Sequence, residues 1–245
     1  MRVAFVGATR GMGRALARLM AERGDTLCLL GRHAADLEAS ARDLEARGAR
    51  GAVRTAALDL ARPAGFEAAL AAADEALGGF DTLVVTGGQT DRPEVLERDT
   101  GRLAEVLHVN FTGTVVLCQM AADRLAARGG GRLCVFSSVA GDRPRRSNYL
   151  YGASKAGLSA FLEGLGHAYA GRGVGVLCVK PGFVKTAFTE GFPVPPFAGE
   201  PEPVARTVLR ALDAGRRAVY APPVWRWIML VIRSLPHSVM RRIRF

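Results

Sequence analysis

Short, almost wholly apolar runs alternate along this chain with longer stretches whose apolar residues recur every three or four positions. The runs Arg2–Val6, Thr26–Leu30, Ala52–Leu58, Asp81–Val85, Arg132–Phe136, Val174–Lys180 and Ala218–Ala221 predict strands buried on both faces. Between them, Gly11–Gly24, His33–Gly48, Pro63 to about Leu77, Thr100 to about Arg128, Tyr149 to about Ala170 and Glu202–Ala214 predict helices. In the first of these, Met12, Ala15, Leu16, Leu19 and Met20 share one face, and Gly24 ends it. Buried strands separated by amphipathic helices require a parallel sheet covered on both sides. The expectation is a single-domain, doubly wound Rossmann-type α/β fold of about seven strands, whose ligand site lies beyond the carboxyl ends of the strands.

Two segments break the alternation. Residues 186–203 (TAFTEGFPVPPFAGEPEP) are too long and proline-rich for a turn, which predicts a substrate lid, with Phe188, Phe192 and Phe197 placed to cover something apolar. Residues 222–245 follow the last strand and add nothing that an α/β core needs. The chain therefore divides into a domain over 1–221, lid included, and a tail over 222–245. With 245 residues, 49% of them hydrophobic, it has the size of one such domain and a composition far from that of a disordered chain. No run approaches the roughly 18 apolar residues of a membrane-spanning helix. The first apolar run lacks the features of a secretory leader, so the expected location is the cytoplasm.

The formal net charge of +10 is unevenly placed. Arg216, Arg217, Arg226, Arg233, Arg241, Arg242 and Arg244 lie in a stretch without one acid, so the basicity belongs largely to the tail. There they are interspersed with Trp225, Trp227, Ile228, Leu230, Val231 and Ile232. That pattern suits an amphipathic helix on an anionic membrane surface, and equally a helix packed on its own domain or on a sister subunit. No helix-turn-helix, RNA-binding or zinc signature accompanies the charge, so nucleic acid is not an expected partner. Cys28, Cys118, Cys134 and Cys178 sit singly in apolar segments, without a Cys-x-x-Cys or Cys/His cluster. They read as small buried hydrophobes, and no metal site is expected.

Candidate chemistry starts directly after the first strand, at Gly7-Ala-Thr9-Arg10-Gly11-Met12-Gly13. A glycine-rich turn opening a helix lets backbone N–H groups approach a pyrophosphate, whose charge the helix N-terminus stabilises. The second strand ends Leu30-Gly31-Arg32. An acid there would bind a ribose 2′-hydroxyl, whereas Arg32 and Arg10 together can clamp a 2′-phosphate with no carboxylate to repel it. The cofactor expected is NADPH. Tyr151 and Lys155 lie one helical turn apart, so the Lys155 ammonium can approach the Tyr151 hydroxyl and lower its pKa towards that of a useful proton donor. Ser138, just past the fifth strand, can hydrogen-bond a substrate carbonyl on which charge develops.

With Asn110 upstream, the set Asn110, Ser138, Tyr151 and Lys155 resembles the tetrad of the short-chain dehydrogenase/reductase superfamily, and the similarity spans essentially the whole chain. The resemblance implies that Asn110 supports a water linking Lys155 to solvent and that Lys155 also holds the nicotinamide ribose. It implies adenine contacts at Asp59-Leu60, and carboxamide contacts in Pro181-Gly182-Phe-Val184-Lys-Thr186, through the Val184 backbone and Thr186. Two positions depart from the family pattern. Its first-strand threonine is Val6 here, and its Asn-Asn-Ala-Gly after the fourth strand is Val85-Thr86-Gly87-Gly88, which keeps only the final glycine. The segment 138–156 and the tail are similar to a subset of the superfamily that reduces a decaprenylphosphoryl keto-pentose at its 2′ carbon. Together these imply an NADPH-dependent reductase, a homodimer or homotetramer, acting on an apolar or lipid-linked ketone, including a keto-sugar, from the inner face of the membrane. Two alternatives stand beside it: a secondary-metabolite ketoreductase on a soluble or carrier-bound ketone, and an NADP-sensing regulator without turnover.

Overall fold

The computed structural model describes residues 1–242; Ile243, Arg244 and Phe245, the end of the basic tail, lie outside the described residues. Seven strands form one parallel sheet: β1 (Arg2–Val6), β2 (Thr26–Gly31), β3 (Arg54–Ala57), β4 (Thr82–Val85), β5 (Gly131–Phe136), β6 (Val174–Pro181) and β7 (Ala218–Ala221). Their order is β3-β2-β1-β4-β5-β6-β7. The chain begins mid-sheet, builds outward to β3, returns to place β4 beside β1, and builds outward again to β7. That reversal between β1 and β4 opens a crevice at their carboxyl ends, where an open α/β sheet binds its ligand.

Alternation within each strand feeds two cores. In β1, Val3 and Phe5 face α1 (Gly11–Glu22), α2 (Ala34–Ala46) and α8 (Pro201–Asp213), among Leu16, Met20, Leu44 and Val208. Ala4 and Val6 face the other side, with Phe66 and Leu70 of α3 (Phe66–Leu77). Leu117 of α6 (Thr114–Ala127) and Leu158 of α7 (Tyr149–Tyr169) complete that layer. The edge strand β3 is shorter than the predicted Ala52–Leu58 and largely exposed, since only one neighbour pairs with it. A six-residue helix, α4 (Pro93–Arg98), was not predicted, because one buried residue, Leu96, gives no periodicity to read.

The long helix predicted from Thr100 is three segments: α5 (Thr100–Leu107), a π-helical turn over His108–Gly113, and α6. By length and composition Thr100–Ala127 could cross a membrane, against the expectation that no segment comes near it. Its apolarity has a different cause: Val106, Leu117, Cys118 and Leu125 are buried in the folded domain, so it is a core helix. Beyond β7, α9 (Trp225–Ser234) and α10 (His237–Met240) fold back. In α9, Trp225, Met229 and Ile232 are buried in a small cluster with Val139, flanked by Phe183 and Tyr220. The opposite face keeps Trp227, Leu230 and Val231 more than half exposed. Arg143 ties the end of this helix down by donating to the Arg233 and Leu235 carbonyls, at 3.4 and 3.0 Å.

Candidate active site

One continuous cleft of about 1370 Å³ runs over the carboxyl ends of the strands. Every candidate catalytic or cofactor-binding residue lines it except Asn110, which is fully buried just behind its wall. At one end lies the glycine turn. Gly7 and Gly11 adopt φ of +89° and +52°, open to glycine at little cost, and the turn delivers the N-terminus of α1 to the cleft. Gly13 is packed so closely that a methyl there would run into the Gly7 carbonyl and the Thr86 hydroxyl. These features fit a dinucleotide pyrophosphate, which needs backbone rather than side chains at the point of approach.

Thr86 is the residue sequence reasoning missed. Its hydroxyl lies 2.9 Å from the Gly7 carbonyl and 3.2 Å from that of Val6. The hydroxyl that the resemblance would put on β1 is thus supplied from the end of β4, and it braces the turn from across the switch point. A threonine facing a valine at the two strand ends was the available signal.

The adenosine end corrects one expectation. Arg10 and Arg32 both line the cleft, but a carboxylate does stand there: Asp36, one turn into α2, accepts from Arg10 at 3.2 Å. The local sequence Gly31-Arg32 could not show an acid that α2 carries back to the site. Both partners are largely solvent-exposed, so a pair worth about 0–1 kcal/mol yields readily to a phosphate. Asp59 and Leu60 line the same region, with the Asp59 carboxylate accepting from the Ala61 backbone at 3.0 Å.

At the other end, β5 delivers Ser138 and α7 delivers Tyr151 and Lys155. Their approach depends on Gly141, where an added Cβ would stand 2.6 Å from the Lys155 backbone. Lys155 is buried, and its ammonium donates to the Phe136 carbonyl at 3.0 Å and lies 5.9 Å from the centre of the Tyr151 ring. Ser138 accepts from Ala140 N–H at 3.1 Å, which orients its hydroxyl at the start of the turn. Asn110 sits in the π-helical turn, a distortion that concentrates at functional sites. Its amide grips the loop after β4 at both ends, accepting from Gln89 N–H and donating to Gln89 carbonyl, each at 2.7 Å. Gly88 is held against it and against Lys155: a Cβ there would meet Asn110 Oδ1 at 3.2 Å and Lys155 Nζ at 3.5 Å. Ser137 and Ser154 bond to protein groups within the wall, Ser137 to the Lys155 carbonyl and Ser154 to the Tyr151 carbonyl. Pro181, Gly182, Val184 and Thr186 close the side towards β6.

Burial sets the proton chemistry, and it corrects a second expectation. Withdrawal from water pushes the Tyr151 hydroxyl up to about 12, with the Ser138 hydroxyl pulling only partly the other way. The Lys155 ammonium, bonded to the Phe136 carbonyl and 5.9 Å from the centre of the ring, does not offset that burial. The same burial depresses Lys155 to about 8. Tyr151 is therefore a neutral, proton-carrying group throughout the physiological range, suited to donating rather than accepting. Lys155 is charged below about 8 and neutral above it. For carbonyl reduction the expected profile is a plateau below about pH 8 and a decline above, as the cation that offsets developing negative charge is lost. Initial rates at saturating cofactor from pH 6 to 10 check this; a rate that rises through that decline assigns the limiting group elsewhere.

The stretch read as a lid is anchored at its base: Val184 and Gly199 form a bridge, with Lys185 N–H on the Gly199 carbonyl at 2.9 Å and Gly199 N–H on Phe183 carbonyl at 2.8 Å. Its last residues, from Pro201, already belong to α8. Phe188, Phe192 and Phe197 line the cleft mouth, but Phe188 and Phe197 stay 40% and 63% exposed, so they border the opening and do not seal it. Phe188 faces the Tyr151 ring at 6.1 Å, and the Phe197 carbonyl accepts from the Trp225 indole at 3.3 Å.

Known proteins resemble this chain over nearly its whole length. A family model described as short chain dehydrogenase matches residues 2–193. An uncharacterized oxidoreductase of Mycobacterium tuberculosis is 37% identical over 240 residues, covering 98% of this chain and 96% of the relative. One of Streptomyces coelicolor is 36% identical over 244 residues, covering 97% and 94%. Among solved structures, a short-chain dehydrogenase from Sphingobium yanoikuyae in complex with NADPH superposes with a TM-score of 0.83 at 25% identity, over 100% of this chain and 97% of the other. Actinorhodin polyketide ketoreductase with NADPH shares the fold, with a TM-score of 0.79 at 24% identity over 89% and 94%.

Proposed function

The chain belongs to the short-chain dehydrogenase family and is an NAD(P)H-dependent oxidoreductase, and from that premise we propose that it is an NADPH-dependent carbonyl reductase of an apolar or lipid-linked ketone. The observation that carries this reading is the single cleft joining the glycine turn and Arg32 at one end to Ser138, Tyr151 and Lys155 at the other. Bound NADPH supplies a hydride to the carbonyl carbon. The protein has to manage the oxygen, which becomes an alkoxide as that bond forms. Ser138 donates a hydrogen bond to it, and Tyr151 gives it a proton. Lys155 contributes positive charge beside the tyrosine, and Asn110 keeps Gly88 and Gln89 in place against Lys155.

Coenzyme choice follows from Arg10 and Arg32, with the 2′-phosphate replacing Asp36 as the partner of Arg10. Charge-assisted contacts to a phosphate contribute roughly 1.5–3 kcal/mol, so NADPH binds at least tenfold tighter than NADH, and Arg32→Ala removes most of the difference. Titration of both coenzymes into both proteins tests this, and equal dissociation constants for the wild type would refute the preference.

An apolar substrate is supported by the mouth of the cleft, where Phe188, Phe192 and Phe197 meet Trp225, Ile228 and Ile232 of α9. On its outer side α9 exposes Trp227, Leu230 and Val231 beside Arg226 and Arg233, with Arg241 and Arg242 following. We read that face as resting on an anionic membrane, at the inner surface of the cell membrane, where each basic residue adds about 1 kcal/mol. Co-sedimentation with liposomes is expected only with anionic lipid and to weaken in high salt. The catalytic unit, in the same proposal, is a homodimer or homotetramer that survives Trp227→Ser/Leu230→Ser while lipid binding does not. If instead the substitution dissolves the oligomer and the intact protein ignores anionic liposomes, the face is a subunit contact, and a soluble or carrier-bound ketone becomes the better reading.

A further inference from the structure

The loop over 142–148, between the turn of Ser138 and the start of α7, carries a guanidinium that nothing among the described residues accounts for. Arg145 lines the cleft, its Nε is fully buried, and that nitrogen has no hydrogen-bond partner. No carboxylate stands within ion-pair distance of Arg145 among the described residues, whereas Arg18, Arg102 and Arg124, half-buried like it, each have one. Burial works against its charge with no opposing partner. A buried donor left unmade costs roughly 1–3 kcal/mol, and a charged one more, which a fold does not retain without return.

A second orphan adjoins it. Asn148 is the residue before the first turn of α7, where an asparagine side chain ordinarily accepts from the helix N–H groups. Here it makes no such bond, and its Oδ1 is buried without a partner while also lining the cleft. The two do not satisfy each other: the only bond recorded between them runs from Asn148 N–H to the Arg145 carbonyl, at 3.1 Å. A donor that is cationic and an acceptor that is neutral, on two residues six and three positions before Tyr151 that both line the cleft, describe the complement of a ligand bearing an anionic oxygen and a hydroxyl.

We propose that Arg145 and Asn148 form a substrate subsite for an anionic group, a phosphate ester or carboxylate, flanked by a hydroxyl and attached to the ketone that Tyr151 reduces. The proposal rests on the reductase reading for the ketone and on the orphaned pair for the anion. The loop is anchored at its start. Asp142 is pinned by Lys180 and Tyr220, each at 2.6 Å, and Arg143 grips the end of α9. An anionic head at Arg145 leaves the apolar part of the same molecule to run along the phenylalanines of the lid and the inner face of α9. A substrate of this kind is an amphiphile, or a soluble phosphorylated hydroxyketone if the apolar wall is vacant during turnover.

Binding of three probes to the full chain loaded with NADPH separates these cases without requiring turnover: dodecyl phosphate below its micelle concentration, dodecyl maltoside, and glycerol 3-phosphate. The expected result is one-to-one binding of dodecyl phosphate at least tenfold tighter than the maltoside, with Arg145→Met erasing the preference and Arg226→Ala/Arg233→Ala leaving it in place. Glycerol 3-phosphate binding comparably identifies a soluble phosphate source; its binding far more weakly identifies a lipid-linked one. Because Arg145 Nε is buried without a partner, Arg145→Met is expected to melt no lower than the wild type, and NADPH affinity reports that it is folded. A preference that survives Arg145→Met, or a melting point that falls with it, overturns the subsite and makes Arg145 a structural residue. Reduction of 9,10-phenanthrenequinone, scored separately, tests the reductase reading: a chain that reduces no ketone but needs Arg145 for dodecyl phosphate loses that reading alone.

Discussion

Replacing Tyr151 by phenylalanine is expected to lower ketone turnover by about 10²-fold or more while leaving coenzyme affinity unchanged. The ring keeps its packing against Phe188, and the cleft keeps its shape, so the loss is confined to one hydroxyl. In the proposed mechanism that hydroxyl gives the alkoxide its proton, and burial holds that proton in place to about 12. Without it the developing charge has only the Ser138 hydroxyl, and a barrier higher by about 2.7 kcal/mol corresponds to the hundredfold loss. Single-turnover rates with excess enzyme isolate the chemical step from product release. Comparable rates for the two proteins would remove Tyr151 from the mechanism.

Gly13→Ala is expected to cost about 10²-fold or more in NADPH affinity. The new methyl has nowhere to go: the Gly7 carbonyl lies on one side and the Thr86 hydroxyl on the other, and neither is the far end of a flexible side chain. The turn must open, which moves the N-terminal N–H groups of α1 off the pyrophosphate. Losing two charge-assisted hydrogen bonds of roughly 1.5 kcal/mol each gives that magnitude. The accompanying overpacking costs about 1–3 kcal/mol of stability, so the variant stays folded and its affinity can be measured by quenching of tryptophan fluorescence. Wild-type affinity in a folded Gly13→Ala protein would mean that the pyrophosphate lies elsewhere.

Where the pattern of the chain is repetitive, the fold is legible in it. The strands of the sheet interior could be read because a strand between two layers of helices has no polar face, as β4 shows with all four residues buried. Legibility fails where one element's environment is set by another. Strand β3 pairs on one edge only, so its polarity misleads. The break between α5 and α6 at Asn110 depends on hydrogen bonds to Gln89 that no local sequence reveals. The candidate residues were legible because their spacing along single elements is fixed: Tyr151 and Lys155 by one helical turn, the glycines by one tight turn. Their electrostatics were not. Asp36 reaches Arg10 from the first turn of α2, Thr86 reaches Gly7 from the end of the neighbouring strand, and the Lys155 ammonium is directed to the Phe136 carbonyl. The orphaned Arg145 is likewise invisible until the surrounding charges are placed, since an arginine among arginines carries no signal of its own.

The central claim is that hydride passes from NADPH to a carbonyl carbon in the cleft, with Tyr151 protonating the oxygen. Its most direct test is isotopic. With NADPH deuterated at the 4-position of the nicotinamide and a prochiral ketone such as an alkyl-substituted β-keto ester, the account predicts an alcohol carrying deuterium at the carbinol carbon. One stereoisomer should predominate, and the label should arise from only one of the two 4-deuterated forms of the coenzyme. Tyr151→Phe is predicted to give the same labelled product at about a hundredth of the rate or less. Alcohol formed without deuterium, or with deuterium from both coenzyme forms alike, would contradict the account.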